Sequence, residues 1–312
     1  MKVFRVYGQK VPSYDYPSVR EAVFALLNTL SLRLFPGMRV LVKPNLVTFR
    51  QAHLSCTNVN VVIAVCAYLK AKGAHPIVGD SPAFGSLKQV AKSCGLAPRL
   101  EELGVPLVPF REKVKVRLPC GVKVGLAREA LSVDGIINLP KFKAHNQLLL
   151  TLAVKNLFGC VVGLEKPWLH ASIGDKDDLF AQMLFEVAQT LPVIANLMDA
   201  VEAMEGRGPT GGKRVRLSFL AAAQDPVAMD TTLYQSLGLE PALVPLWRVA
   251  QRADHPAAFP ENVKAAGIPP LPAFKLPKRL TPITFNPLRL MKGLLKRLVL
   301  RLSGSYSGGT KS

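Results

Sequence analysis

Acid is what this chain has least of. Across 312 residues, 21 Asp and Glu stand against 40 Lys and Arg, for a formal net charge of +19. No acid lies beyond Glu261, whereas ten Lys and Arg do, so the last 51 residues hold +10 and residues 1–261 only +9. Cysteine is also sparse. Cys56, Cys66, Cys94, Cys120 and Cys160 are odd in number, scattered and without a CxxC pair. That argues against a disulfide framework or a self-contained thiolate metal site, and fits a reducing cytoplasm. The opening MKVFRVYGQKVPSYDYP has no apolar core of signal-peptide length. The most membrane-like run, Leu179–Met198, is interrupted by Glu186, Asn196 and Pro192, which reads as helix, break and strand rather than a span. No GxGxxG precedes a helix and no GK[ST] opens one, so nothing points to a dinucleotide site or a phosphate loop. Low-complexity tracts are lacking, and 49% hydrophobic residues suffice for a sizeable core.

What is present is an alternation of short apolar strands and amphipathic helices. Residues 17–34 carry apolar residues at helical spacing after Ser18, and Pro36-Gly37 ends that helix. Arg39–Val42 reads as a buried strand, 59–72 as a helix closed by Gly73, His75–Gly79 as a strand, and Ser86–Cys94 as a helix closed by Gly95. Such an order signals βαβ units and a mainly parallel sheet, an α/β fold. Residues 105–126 read as a strand and an inserted β-hairpin turning at Pro119–Gly121. Further strands are expected at Gly135–Asn138, at Val193–Met198 before Asp199 and at 214–223, with helices over 175–190 and Asp225–Leu239. Residues 1–260 make the α/β ligand-binding domain. Residues 261–312 read as a Pro-rich linker and a basic helical C-terminal tail.

Polar residues gather where the strands end. Lys43 and Asn45 follow the first, Asp80 and Ser81 the second, Lys141, Lys143 and His145 the third, Asp199 and Glu202 the fourth, with Asp225 a fifth candidate. In open α/β sheets ligands collect at the carboxyl ends of strands. The densest stretch, Asn138–His170, holds four lysines (Lys141, Lys143, Lys155, Lys166), His145, His170, Cys160 and Asn156 against one acid, Glu165. Cations collected in this way repel one another unless something anionic sits among them. Neutral imidazole suits proton transfer, and a lysine crowded by cations loses its proton more readily and becomes a nucleophile or Schiff-base former. Against this stand bland readings: Cys160 as a small buried hydrophobe, Trp168 beside His170 as a packed loop, and Lys155 as a snorkelling helix end. The glycine-rich EGRGPTGGKR, with Gly208 and Gly211, reads either as an anion cradle or as a lid.

KPNL at Lys43–Leu46, GDSPA at Gly79–Ala83, NLPKFKAH at Asn138–His145, TLAVKNLFGCVVG at Thr151–Gly163, DAVEAMEGRGPTGG at Asp199–Gly212 and DPVAMD at Asp225–Asp230 together resemble the domain-of-unknown-function 362 family, over about residues 38–235. Many members of that family carry an added ferredoxin-like iron–sulfur domain. This chain has no CxxCxxC run, so the resemblance implies an iron–sulfur protein as partner rather than an intrinsic cluster. More distantly, the segment is similar to the catalytic domain of nickel-pincer lactate racemases, where a histidine base, a cofactor-holding lysine ten residues on and a nickel-binding histidine follow in order. His145, Lys155 and His170 match that order. The resemblance implies a base at His145, a covalently held cofactor at Lys155 and a metal ligand at His170. The racemases have a histidine where this chain has Asp80, and Arg-Pro where it has Lys43-Pro44.

The expectation is an enzyme for proton or electron transfer on a small carboxylate or phosphate-bearing substrate. Lys43, Asn45, Ser81, Lys141, Lys143, Asn156, Gly208 and Gly211 would hold the anion. His145 and Lys155 would act on it, Asp80 and Asp199 would be orienting groups or a second acid/base, and His170 would hold a metal. The alternative is a non-catalytic, membrane-peripheral accessory protein that binds an anionic ligand or a redox partner. It rests on the run 288–302, where Leu288, Met291, Leu294, Leu295, Leu298 and Leu302 share one helical face and Arg289, Lys292, Lys296 and Arg297 lie on the other. Such a helix suits an anionic membrane surface or a protein partner. Nucleic acid ranks last, because the tail run lacks aromatic residues to stack on bases.

Overall fold

The structure is a computed structural model that describes residues 2–49, 52–163, 165–173 and 176–281. The amphipathic run 288–302 lies outside them. In chain order the elements are β1 (Phe4–Lys10), α1 (Tyr16–Thr29), β2 (Arg39–Pro44), α2 (Ala52–Ser55), α3 (Val59–Ala71), β3 (His75–Asp80), α4 (Leu87–Ser93), α5 (Leu96–Glu102), β4 (Leu107–Pro109), β5 (Lys113–Arg117), β6 (Lys123–Ala127), α6 (Arg128–Leu131) and β7 (Gly135–Leu139). They continue with β8 (Lys141–His145), β9 (Leu149–Thr151), α7 (Ala153–Leu157), α8 (Glu165–Ser172), α9 (Leu179–Thr190), β10 (Val193–Glu205), β11 (Lys213–Ala223), α10 (Pro226–Ser236), α11 (Pro245–Arg252) and β12 (Val263–Ala266).

The main sheet runs β12-β1-β11-β10-β7-β2-β3-β4, and β8 branches from β10 to carry β9. Pairing is parallel from β10 through β7, β2 and β3 to β4; β11 is antiparallel to both its neighbours. The protein is thus an α/β fold with a mainly parallel sheet. The hairpin expected in 105–126 is β5-β6, a separate two-stranded sheet closed at Leu118–Val122.

Strand periodicity sorts side chains onto two faces. On one, Val40, Val42, Ile137, Leu139, Leu197 and Val201 pack beneath α1 and α3; on the other, Leu41, Ile136 and Met198 pack beneath α7, α9, α10 and α11. Both faces are covered, which is why β2 and β7 are buried nearly throughout instead of alternating. The parity continues past the core. Lys43 and Asn138 keep the register of Leu41 and Ile136 and so face α7, whereas Asp199 keeps that of Leu197 and faces the entries to α1 and α3.

Three expectations change. The strand after Pro192 does not stop at Met198: β10 continues to Glu205 through an irregularity between Ala200 and Glu202, because β11 pairs with it along most of its length. Asp225 leaves the strand-end group. β11 runs antiparallel and ends at the opposite edge of the sheet, where Asp225 caps α10 by accepting from Val227 and Ala228 N–H. The sheet also extends past residue 260, since β12 pairs with β1, and Leu271 and Phe274 are buried in the core.

Phe274 meets Phe142 edge-on at 5.0 Å between ring centroids, and Thr281 N–H donates to the carbonyl of Asn146 at 2.6 Å. The segment after β12 is therefore an integral strap across the β8 end of the sheet. Replacing Phe274 by Ala is expected to lower the unfolding free energy by about 3 kcal/mol through lost burial and the cavity left behind. Urea unfolding checks this; an unchanged midpoint would show that the strap lies outside the cooperative fold.

Candidate functional site

β2, β3, β7, β8 and β10 all deliver polar residues to one edge, because parallel strands end together. Two buried ion pairs anchor the group. Lys43 Nζ donates to Asp80 Oδ1 at 2.9 Å, and the same carboxylate accepts from Leu46 and Ser81 N–H, each at 2.8 Å. Lys141 Nζ donates to Asp199 Oδ2 at 3.0 Å and to the Tyr14 hydroxyl, which donates to Asp199 Oδ1 at 2.6 Å. Asn58 N–H donates to Asp199 Oδ2 at 2.9 Å. Burial and the Asp199 charge push the Tyr14 phenol far above its usual range, so it stays a neutral donor. Both aspartates are tied to lysine and backbone, and Asp199 is fully buried. Their geometry is that of orienting groups.

Lys143 lies between the pairs without a carboxylate partner among the described residues. Its amine donates to Asn45 Oδ1 at 2.9 Å and to the Ser55 carbonyl at 2.7 Å. Burial, opposed by Cys56, and the Lys141 charge bring it down to about 7. Asn45 is itself fixed by Thr57, whose hydroxyl accepts from Asn45 N–H and donates to the Leu139 carbonyl. Lys166 donates to the carbonyls of Ser81 and, at 3.3 Å, Gly159.

Lys155 differs from the other four. Among the described residues its amine has no hydrogen-bond acceptor and no ion pair; it lies over the rings of Phe158, at 4.6 Å, and Phe180, at 5.8 Å. Desolvation in this wall, then the Lys166 and Lys143 charges, bring it to about 7. Lys43, Lys141 and Lys143 have no exposed surface and Lys166 little, whereas Lys155 keeps a half-buried side chain. His170 packs on the same rings, 4.3 Å from Phe180 and 5.5 Å from Phe158 between centroids.

His145 Nδ1 accepts from the N–H groups of Gln147 and Leu148, both at 3.2 Å. The turn that brings them round is followed by Leu149 in the left-handed region, φ 66°, a conformation that costs about 1 kcal/mol. Burial, then the Lys155 and Lys143 charges, hold the imidazole well below its usual range. A neutral ring with Nδ1 occupied as acceptor carries its proton on Nε2. His145 thus offers a hydrogen bond from Nε2.

Beneath these groups lies a chain of buried amides. Asn156 Nδ2 donates to Asn138 Oδ1 at 2.7 Å and to the Lys43 carbonyl at 3.4 Å; Asn138 Nδ2 donates to Asn196 Oδ1 at 2.8 Å and to the Ala153 carbonyl at 3.0 Å. Asp230, from α10, accepts from Ala153 and Val154 N–H at 2.7 and 3.1 Å and so holds the start of the helix that carries Lys155. Its burial raises the carboxyl to about 8. Asn156 is therefore a scaffold residue. Of the two glycines singled out, Gly208 touches β8: its N–H donates to Asn146 Oδ1, and an added Cβ would lie 1.7 Å from the Ala144 carbonyl. Gly211 is exposed, with open space around it, and stays apart from the cluster.

Beside the cluster is a cavity of about 220 Å³ lined by Asp80, Ser81, Ser86, Pro109, Phe110 and Arg111, among others. Among the described residues, no three His, Cys, Asp or Glu side chains group to hold a metal ion. Cys160 is buried and its thiol pushed up to about 12, as a core residue's would be. Tyr14 and Asn196 carry no signal of their role in the sequence; Asp230 lies in the DPVAMD motif, which does not announce that it holds the start of α7. Gly159 does sit in a glycine-bearing motif, and here it admits both Lys43 and Asp80.

The sequence model of a family described as a domain of unknown function (DUF362) matches residues 40–235. A thylakoid-associated protein of Synechocystis sp. is 37% identical over 273 residues, covering 85% of this chain and 84% of that protein. Among solved structures, a Thermotoga maritima protein aligns with a TM-score of 0.45 at 9% identity, over 74% of this chain and 61% of its own. The lactate racemase apoprotein from Thermoanaerobacterium thermosaccharolyticum aligns with a TM-score of 0.46 at 12% identity, over 76% of this chain and 57% of its own. This chain spans about three fifths of the length of those two structures, and likenesses this loose say nothing about its chemistry.

An added Cβ at Gly159 would lie 2.3 Å from both Lys43 Nζ and Asp80 Oδ1. Gly159→Ala is expected to part that pair and, because a buried charge then loses its partner, to cost about 3–5 kcal/mol in chemical denaturation. A cost under about 1 kcal/mol would show that the pair does not hold this edge together.

Proposed function

The chain belongs to the DUF362 family, and on that footing we propose that it is an enzyme whose lysine-rich cleft binds a small carboxylate or phosphate and moves a proton on it. One observation carries this reading. Five lysines meet at one sheet edge; Lys43 and Lys141 are paired with carboxylates, whereas Lys143 and Lys155 have no carboxylate partner among the described residues. Buried like charges are stable only when deprotonated or joined by an anion, and an anionic ligand lets both amines take up protons. In this reading Lys143 contacts the anion, the cavity at Ser81 and Arg111 gives it entry, and the neutral Nε2–H of His145 donates to developing negative charge. Lys155, at about 7, is the group that takes or returns the proton, since a general base works best with its pKa near ambient pH. Lys43 and Lys141, paired with Asp80 and Asp199, fix the frame.

A second reading has its own support. Thr281, near the end of the described residues, bonds to Asn146, next to His145, and the basic run 288–302 follows it in the sequence. A relative is described as thylakoid-associated, and no helix among the described residues is long and apolar enough to cross a membrane. This favours peripheral attachment through 288–302; in this reading the module is non-catalytic and an iron–sulfur protein would be its redox partner. Deleting residues 285–312 should abolish sedimentation with anionic vesicles and leave anion binding intact. Vesicle binding that survives the deletion would remove the tail's role.

The enzymatic reading is tested with oxalate and sulfate, whose charge is constant near neutrality. A folded-state pKa lowered to about 7 means the amines are charged only below that pH, so affinity should be greatest there. It should fall by up to about tenfold per pH unit above 7 for each lysine the anion recruits. Lys143→Met should reduce the affinity at pH 6.5 by about tenfold or more and flatten the slope. Calorimetry from pH 6 to 9 measures this; no binding, or a flat profile, would contradict the anion site. Exchange of the C2 proton of lactate into deuterated water, lost in Lys155→Met, would separate turnover from mere binding.

A further inference from the structure

Resting on that anion site, we propose that Lys155 captures its ligand covalently, as an imine with the carbonyl of a small anionic aldehyde or 2-oxo acid. The argument is one of elimination among five lysines. Lys43 gives its protons to Asp80 and the Pro44 carbonyl, and Lys141 to Asp199 and Tyr14. Lys143 gives its own to Asn45 and the Ser55 carbonyl, and Lys166 to the carbonyls of Ser81 and Gly159. An amine held by two acceptors has its protons fixed and its nitrogen aimed at them. Lys155 alone of the five has no hydrogen-bond acceptor among the described residues; its amine lies against the faces of Phe158 and Phe180, which attract a cation weakly and accept no directed hydrogen bond. It is also the one with a half-buried rather than buried side chain. Burial, then the charges of Lys166 and Lys143, favour its neutral form, in which the nitrogen lone pair is available. Asp230 anchors the first turn of the helix behind it, so the side chain projects from a fixed base.

The step balances without any further reagent. The neutral amine adds through its lone pair to the carbonyl carbon, forming a C–N bond and a carbinolamine; one proton moves from nitrogen to oxygen. The carbinolamine then loses water, leaving a C=N bond, and protonation of that nitrogen gives an iminium. Nothing is oxidised or reduced. The carboxylate or phosphate of the ligand sits among the lysine charges, and with a carbonyl ligand the iminium replaces the ammonium at Lys155, whose free amine moves the proton only on ligands without a carbonyl. Selectivity for carbonyl compounds bearing an acid group follows.

The test uses the full chain with pyruvate or glycolaldehyde phosphate at near-stoichiometric amounts and pH 8, followed by sodium borohydride, intact-mass measurement and peptide mapping. One adduct is expected, equal to the mass of the carbonyl compound less one oxygen atom. It should lie on Lys155 in excess over every other lysine by about tenfold or more, because the ordinary lysines are almost wholly protonated at that pH. Excess sulfate should suppress it. Lys155→Arg, which keeps the charge, should lose the adduct while binding sulfate in calorimetry. The wild-type map stands on its own if that variant does not fold. Labelling spread over surface lysines, concentrated on Lys143 or absent, with sulfate still bound, would overturn the covalent step and leave the anion site standing. Absence of both adduct and sulfate binding would overturn the anion site itself.

Discussion

The structure turns on a shortage of negative charge at the carboxyl edge of its parallel sheet. Two like charges about 6 Å apart at an effective dielectric of about 20 repel by about 3 kcal/mol, and each buried lysine adds a desolvation cost. The protein meets this in two ways. Asp80 and Asp199 neutralise Lys43 and Lys141 directly, one on each face of the sheet. Lys143 and Lys155 are instead brought to about 7, where half the charge is gone without a partner. The first solution makes a rigid frame. The second stores a capacity to bind protons and an anion together, which is the physical basis of the function proposed here.

The frame is built from groups that cannot react. Tyr14 is held neutral between Lys141 and Asp199, and the Asn156–Asn138–Asn196 chain ties α7, β7 and β10 into one unit. Asp230 fixes the helix that presents Lys155, and Gly159 leaves the room in which Lys43 meets Asp80. His145 is wrapped by the Gln147–Leu148 turn at the expense of a left-handed Leu149, local strain of the kind that sheet edges bear where a side chain must be oriented.

Much of this was legible in the sequence. Buried runs such as Arg39–Val42 and Gly135–Asn138 announce parallel strands, and their polar ends name Lys43, Asp80, Lys141, Lys143 and His145 before any contact is known. Periodicity could not tell which lysines are paired, because Lys43–Asp80 and Lys141–Asp199 join residues 37 and 58 positions apart across strand crossovers. Tyr14 lies 127 residues from Lys141, in a loop with no motif. The role of His145 turned on which ring nitrogen its own turn occupies, and that is a matter of backbone geometry. The Val263–Ala266 strand was hidden because a four-residue edge strand among prolines has the composition of a linker.

The most direct measurement is the titration of the lysine amines themselves, by NMR of chain labelled with 13C and 15N at lysine and assigned through single Lys→Arg variants. The account predicts two amines, Lys143 and Lys155, that titrate near 7, and that move to higher pH when sulfate is added, while surface lysines stay near their ordinary value of about 10.4. If Lys143 and Lys155 titrate with the surface lysines and ignore sulfate, the edge is neither short of negative charge nor built to take up an anion, and the central claim fails.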